Sequence, residues 1–305
     1  SIFGDAAGPA EAAGASAGLS VDDGALVRDF HCSADVNKSG LRRAKKVHMA
    51  KHAFGKKKKK NPRLMEDTHY MSFPFHNDQL LGLFCVFDGH AGYNCAEKAK
   101  STFPEIFFKK VSTPGAREKC NWEEELRTSM LETDDELMEF DCEGCTATAT
   151  VVWENDQGRF VQSVCVGDSM SFLNRGGKAV ALSECHVVAN PAEKERIRAE
   201  GHEIRESQTR INGISVSRTL GDHFVKEQNL GITNKPFVSD VYKLDPADSF
   251  LIVASDGLWD VVDGQEAVDL CAGETTAKGM ASKLLRTAVS SLKCNDNVTV
   301  VVAML

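Results

Sequence analysis

The sequence predicts a fold in which buried β-strands are interspersed with amphipathic α-helices. Four nearly continuous apolar runs, at residues 80–87, 161–166, 250–254 and 298–305, are typical of strands that are buried on both faces. Helical patterns lie at roughly 91–110, 122–140, 191–200 and 276–291. Alternation of this kind is by itself compatible with a parallel α/β sheet, and equally with antiparallel strands brought together from distant parts of the chain.

The predicted helix at 191–200 has the clearest boundaries. Asn190 suits the N-cap, Pro191 fits the first helical position, and Gly201 suits the residue after the last turn. The other three helices are predicted from their apolar periodicity rather than from their ends.

Length and composition exclude several classes of protein. A chain of 305 residues with 42% hydrophobic and 26% charged residues is expected to bury its own core as one large domain. The longest apolar runs fall well short of the 18 residues of a membrane span, so none is predicted. The ten cysteines do not indicate a disulfide scaffold, because Cys85 and Cys165 lie inside apolar runs. We therefore expect a cytoplasmic or nuclear compartment, with a trimmed targeting segment as the alternative, since the first residue is Ser.

The net charge of −8 conceals an asymmetry. Residues 1–60 carry 12 Lys/Arg and 6 Asp/Glu, so the rest of the chain carries a net charge of −14. Residues 1–41 are predicted to be a flexible lead-in rich in Ala and Gly, and 42–305 to be the folded domain, with a basic segment at 42–60 at its start. This segment is interpreted as a solvated surface, with nuclear import or binding to an anionic surface as the alternatives. We expect no nucleic-acid partner, because no zinc-ligand spacing or aromatic-interleaved basic stripe accompanies it.

Carboxylates stand at the ends of several predicted strands. One such residue is usually a turn or a helix cap, but a set of them at separate strand ends is harder to explain structurally. Gathered at one edge of a sandwich, they would repel one another unless cations were bound. Oxygen ligands without a Cys/His cluster favour Mg²⁺ or Mn²⁺, and a pair of such ions can activate water for attack on phosphorus. The set comprises Glu66, Asp88, Asp168, Asp256, Asp260 and Asp296.

An ordered series of short motifs resembles the metal-dependent protein phosphatases of type 2C, the PPM family. The resemblance covers about 63–305, and its specificity comes from the order of the motifs, since each one alone is common. The motifs are Met65-Glu66-Asp67, Phe87-Asp88-Gly89-His90-Ala91-Gly92, Gly144-Cys145-Thr146-Ala147, Val166-Gly167-Asp168-Ser169, Asn190-Pro191-Ala192-Glu193, Arg210-Ile211-Asn212-Gly213, Ser217-Arg218-Thr219-Leu220-Gly221-Asp222, Ser255-Asp256-Gly257-Leu258-Trp259-Asp260 and Asp296-Asn297.

The resemblance implies an α+β fold, a four-layer α-β-β-α sandwich of two antiparallel sheets flanked by helices. It also implies hydrolysis of phosphoserine and phosphothreonine in phosphoprotein substrates by a monomeric enzyme. Two Mg²⁺ or Mn²⁺ ions are implied, with a third held more weakly.

The resemblance assigns roles to matching positions. Asp88 is expected to bridge two metal ions, with Glu66 and the Gly89 carbonyl completing one ion's ligands and His90 acting as general acid. The remaining carboxylates are expected to hold the second ion or the weaker third one. Asp256 and Asp296 belong to the second ion, and Asp168 and Asp260 to the third or its water shell.

The sequence also departs from the family pattern. The Arg expected four residues before the metal-binding Glu is Pro62 here, so Arg63 is predicted to hold the substrate phosphate, with Lys60 as the alternative. Cys185 stands where the family has an acidic residue, and the segment between Asn212-Gly213 and Ser217-Arg218 is one residue short. These departures motivate a second hypothesis, a catalytically weak pseudophosphatase that serves as a binding module.

One cysteine pair suggests a different chemistry that the sequence does not favour. Cys142 and Cys145 have redox-motif spacing, but the thioredoxin-like context that such a motif needs is absent. We interpret the pair as the entry to a strand.

Overall fold

The computed structural model of the protein describes residues 25–37, 65–112 and 121–305. It contains two antiparallel β-sheets with helices outside each of them. The first sheet has the order β1-β13-β12-β7-β8. Its strands are β1 (Asp29–Asp35), β7 (Met170–Arg175), β8 (Lys178–Ala181), β12 (Asp248–Ala254) and β13 (Val298–Met304).

The second sheet has the order β10-β6-β5-β3-β4-β9, with β2 paired to β3 and β11 paired to β6. Every named strand pair in it is antiparallel, so the parallel α/β alternative is excluded. Its strands are β2 (Asp67–Ser72), β3 (Leu81–His90), β4 (Gly144–Cys145), β5 (Ala147–Asn155), β6 (Gly158–Val166), β9 (Leu220–Gly221), β10 (Phe237–Val238) and β11 (Tyr242–Lys243).

Seven helices complete the described part of the chain. The first two pack on the second sheet, and the sixth and seventh pack on the first. They are α1 (Asn94–Val111), α2 (Trp122–Asp135), α3 (Pro191–Ala199), α4 (His223–Glu227), α5 (Asp256–Trp259), α6 (Gly264–Cys271) and α7 (Ala277–Ser290). Between the sheets, Phe84 and Val86 meet Leu251, Val253 and Val301 in an apolar layer. The predicted four-layer α-β-β-α sandwich is confirmed.

The local sequence correctly predicted helix α3 and the strands formed by the four apolar runs. The α3 helix begins as predicted, since the Asn190 side chain accepts a hydrogen bond from the backbone N–H of Ala192 and Pro191 follows. It ends at Ala199, and Gly201, just past the C-cap residue Glu200, has a φ of +90°, in the region that favours glycine. All four strongly apolar runs form strands because both faces of each are covered, by helices on one side and by the other sheet on the other.

The predicted flexible lead-in at 1–41 is wrong for residues 25–37. Strand β1 lies within it and pairs along its whole length with β13. Leu26 and Val27 are buried, and Phe30 packs edge-on against Phe84 with ring centroids 5.8 Å apart. The short strand has no continuous apolar run like the four that were predicted, and its apolar residues alternate with polar ones, as is typical of a half-buried strand at the edge of a sheet. The rest of the predicted lead-in and the whole of the basic segment at 42–60 lie outside the described residues.

None of the helices that the structure describes is both long and apolar enough to cross a membrane. The nine described cysteines are all free, including the predicted buried residues Cys85 and Cys165.

Candidate active site

A cleft of about 850 Å³ opens where ends of strands from both sheets meet. It brings together most of the residues that the sequence singled out. These are Glu66, Asp88, Gly89, His90, Asp168, Asp256 and Asp296. Asp260 is not part of the lining but lies one helical turn beyond Asp256, whose carbonyl oxygen accepts a hydrogen bond from its backbone N–H at 2.8 Å. Arg63 and Lys60, the predicted phosphate ligands, lie outside the described residues.

The end of β3 supplies one half of the cleft. Asp88 is directly opposite Asp67 of β2, and the Gly89 N–H donates to the Glu66 carbonyl at 3.1 Å. A β-carbon on Gly89 would stand 2.5 Å from that same carbonyl oxygen, so only glycine allows the two segments to approach this closely. The Asp88-Gly89 pair therefore marks a close approach of β3 to the backbone at Glu66, and not a turn.

The ends of β12 and β13 supply the other half. Asp256 follows β12 and begins helix α5, and Asp296 precedes β13. A β-carbon on Gly257 would overlap the carbonyl oxygen of Asn297, which explains the glycine after Asp256. The Asn297 side chain joins the halves, because its Oδ1 accepts a hydrogen bond from the Glu66 N–H at 2.9 Å.

A buried hydroxyl also links the two halves. The Ser255 Oγ donates to the Asp67 carboxylate at 2.7 Å and accepts from the Thr299 N–H at 3.0 Å. Asp67 is buried and lies beside Asp88, so it is a further member of the carboxylate cluster. Its position in the Met65-Glu66-Asp67 motif did not by itself predict a place in this cluster.

The carboxylates of the cluster oppose one another's ionisation. Burial, and then the charges of Asp67, Asp256, Asp168 and Asp296, raise the pKa of Asp88 well above its usual range. Burial likewise raises the pKa of Asp168 to about 7 and that of Asp67 to about 6. Burial and neighbouring carboxylates raise the pKa of Asp256 well above normal. So much negative charge in one place predicts an affinity for cations.

The donors present suit a hard divalent cation. Carboxylate oxygens predominate, and the buried Asp256 Oδ1 has no hydrogen-bond partner among the described residues. An unpaired carboxylate oxygen facing other carboxylates is costly unless a cation is bound. Across residues 25–37, 65–112 and 121–305, no three His, Cys, Asp or Glu side chains already meet in a geometry that encloses an ion. Which of these side chains bind a cation therefore remains a prediction.

His90 ends β3 and borders the same cleft. Its Nε2 lies 2.5 Å from Oδ2 of Asp222, a residue that sequence analysis also quoted without a role. The signal that could have found Asp222 is weak, because it follows the two-residue strand β9 and precedes a five-residue helix.

The cysteine pair near the cleft has the predicted structural role. Cys145 is buried in β4, where it pairs with Gly89, and Cys142 is exposed at the cleft lining. Between them, the Glu143 carboxylate accepts hydrogen bonds from the backbone N–H groups of Asn94 and Cys95 at the start of α1. No disulfide joins the two cysteines, and Glu143 ties β4 to the helix that follows His90.

Comparisons of the sequence with known proteins point to one family. The sequence model of protein phosphatase 2C matches residues 52–298. A probable protein phosphatase of Dictyostelium discoideum is 40% identical over 286 residues, which is 92% of this chain and 27% of that protein. Protein phosphatase 2C homolog 1 of Schizosaccharomyces pombe is 32% identical over 246 residues, 80% of this chain and 69% of that protein. The chain spans between about a quarter and less than half of the length of the first curated relatives it matches.

A solved structure shows the same fold. The crystal structure of serine-threonine phosphatase 2C from Toxoplasma gondii superposes with a TM-score of 0.69 at 19% identity. The match covers 90% of this chain and 94% of that one.

Proposed function

This chain belongs to the protein phosphatase 2C family, and from that premise we propose that it hydrolyses phosphoserine and phosphothreonine in proteins at the carboxylate cleft. The observation that carries the proposal is the convergence of carboxylates from β3, β12 and the loop before β13 on one cleft that also contains His90. Strand ends from both sheets contribute side chains to this cleft.

Each half of the cleft would hold one cation. Glu66, Asp88 and the Gly89 carbonyl would hold the first, and Asp256 and Asp296, with Asp88 shared, the second. Bound there, Mg²⁺ or Mn²⁺ would offset the repulsion among the carboxylates and acidify the water that attacks phosphorus. Asp168 and Asp260 are also near Asp256, and we assign them to a third, weaker ion or to its water shell.

His90 would deliver the proton that the leaving oxygen requires. Its side chain is 31% exposed and borders the cleft, so a phosphorylated side chain bound there can reach it. When the bond between phosphorus and the seryl oxygen breaks, that oxygen leaves as an alkoxide unless a proton is supplied. Arg63 is the proposed ligand of the phosphate oxygens, because its guanidinium can donate two parallel hydrogen bonds.

A binding module without catalytic power is the second candidate. It is favoured by Cys185, which replaces an acidic residue of the family pattern close to Asp168. Burial, and then the charge of Asp168, raise the pKa of the Cys185 thiol to about 12, so the thiol stays neutral and does not replace the lost charge. Every residue of the two proposed cation sites is nevertheless present, and this favours the enzyme.

The test is metal-dependent turnover by the purified chain. We expect hydrolysis of a phosphothreonine peptide and of p-nitrophenyl phosphate with Mn²⁺ or Mg²⁺, and its loss in excess EDTA. Asp141→Asn, which removes an exposed carboxylate near the cleft, is a matched control that should keep full activity. A wild-type chain that binds Mn²⁺ in calorimetry but turns over neither substrate would favour the binding module.

Replacing His90 by alanine should separate the two substrates. The rate with the phosphothreonine peptide should fall about 10²-fold or more, because its alkoxide leaving group depends on a proton donor. The rate with p-nitrophenyl phosphate should fall much less, since a phenolate leaves without help. Steady-state kcat for both substrates at saturating Mn²⁺ gives the answer, and equal losses would remove His90 as the general acid.

A further inference from the structure

The His90–Asp222 pair has a geometry that the proposed activity does not by itself explain. His90 Nε2 and Asp222 Oδ2 are 2.5 Å apart, close enough for a strong hydrogen bond between a ring N–H and a carboxylate. The Asp222 side chain is only 2% exposed, whereas that of His90 is 31% exposed to the cleft. Asp222 also lines the cleft, but its carboxylate is almost wholly buried beside the imidazole, so His90 is the more accessible of the two side chains.

The surrounding structure holds Asp222 in place. Its φ of +51° is a left-handed conformation that an Asp adopts at a local cost, and its N–H donates to the Glu143 carbonyl at 3.0 Å. The Thr219 hydroxyl donates to the same carboxylate oxygen that His90 contacts, at 3.0 Å. A β-carbon on Gly144 would overlap this carboxylate and would also stand 2.8 Å from His90 Nε2. Gly144 therefore leaves the space that the pair occupies.

A second buried carboxylate anchors the turn that carries Asp222. Asp134 accepts hydrogen bonds from the Gly221 N–H at 2.7 Å, from the Lys226 ammonium at 2.7 and 2.8 Å, and from the Asn234 amide at 2.7 Å. These contacts tie both sides of Asp222 to helix α2. The turn is held from outside the cleft, so the position of Asp222 does not depend on a bound substrate.

We propose that Asp222 is the positioning residue of the general acid, and this inference rests on the proposed phosphatase function. By accepting the Nε2–H bond, the carboxylate selects the tautomer and ring orientation of His90 and leaves Nδ1 as the nitrogen that serves the leaving group. As the P–O bond breaks, its electron pair goes to the seryl or threonyl oxygen, which takes the Nδ1 proton. The N–H electron pair stays on Nδ1, and His90 ends as the neutral Nε2–H form bound to Asp222.

The kinetic test compares substrates with poor and good leaving groups. Asp222→Asn should lower kcat for a phosphothreonine peptide by about 10- to 100-fold, while kcat for p-nitrophenyl phosphate changes less than about threefold. His90→Gln should show the same pattern. The double variant should be no slower than His90→Gln alone, because both changes disrupt the same hydrogen-bonded His90–Asp222 pair. Asp141→Asn is the control for loss of a nearby charge.

A spectroscopic test does not depend on turnover. In ¹⁵N-labelled protein at alkaline pH, the His90 ring, assigned by its absence in His90→Gln, should be the Nε2–H tautomer. In Asp222→Asn a substantial Nδ1–H fraction should appear.

Two results would overturn the inference. One is an Asp222→Asn variant that slows both substrates equally, or whose effect multiplies with that of His90→Gln. The other is an unchanged tautomer in Asp222→Asn. If the wild type hydrolyses neither substrate, the proposed function fails, and the spectra alone then decide whether Asp222 sets the tautomer.

Discussion

Replacing Asp88 by asparagine should reduce kcat/KM for phosphopeptides by at least about 10³-fold at any Mn²⁺ concentration, while the metal-free protein stays folded. Asp88 is the side chain at which the two halves of the cleft meet, and it faces Asp67, Asp256, Asp168 and Asp296. An amide can offer only one weak oxygen ligand to a cation. The loss should therefore appear in metal affinity as well as in turnover, measured by calorimetry and steady-state kinetics.

Thermal unfolding distinguishes this effect from damage to the fold. Because burial and four carboxylates oppose the ionisation of Asp88, its neutral replacement should unfold at the same temperature as metal-free wild type or at a higher one. Asp240→Asn, at an exposed position, controls for the change in net charge. A variant that keeps near-wild-type kcat/KM would show that Asp88 does not belong to the metal site.

The metal-free protein should lose stability as the pH rises from about 4 to about 7. The pKa of Asp168 is raised in the folded state from 3.8 to about 7. A raised carboxyl pKa means that the folded state binds more protons than the unfolded state between these values, so its stabilising contribution is complete below about 4 and lost through about 7. For Asp168 alone the loss is on the order of 4 kcal/mol, and Asp67, with a pKa of about 6, adds to it.

Cation binding should reverse this loss, because a bound Mn²⁺ stabilises the ionised carboxylates. Denaturant unfolding at pH 5 and pH 7.5, with EDTA or with Mn²⁺, measures the effect. Asp168→Asn removes a titrating group, so the metal-free variant should be more stable than wild type at pH 7.5, and the two should converge near pH 4. Asp240→Asn should follow wild type at both pH values. A metal-free Asp168→Asn less stable than wild type at pH 7.5 would contradict the expectation.

Several parts of the site that sequence analysis located share one property. They stand directly at the end or just before the start of a long apolar run, as Asp88, Asp256 and Asp296 do, and burial on both faces makes such runs conspicuous. The antiparallel arrangement could not be derived from the alternation of helices and strands, because sheet order depends on contacts between residues far apart in the chain. It followed from the family resemblance.

Residues that act through other residues were harder to find. Asn297 and Asp222 form hydrogen bonds with Glu66 and His90 across 231 and 132 residues of chain. Nothing in their local sequence marks such a partner. Strand β1 was missed for a related reason, since its pairing with β13, rather than its own weak pattern, places it in the sheet.

The bond between the Asn297 side chain and the Glu66 N–H has a consequence for when the cleft can form during synthesis. Glu66, Asp88 and His90 leave the ribosome well before Asp256, and Asp296 and Asn297, which bonds to Glu66, emerge just ahead of β13. The first sheet also lacks the strand that joins β1 to β12 until β13 is made. While residues 66–296 are being made, the nascent chain therefore carries only part of the proposed ligand set, and the complete cleft can form only once β13 has been made.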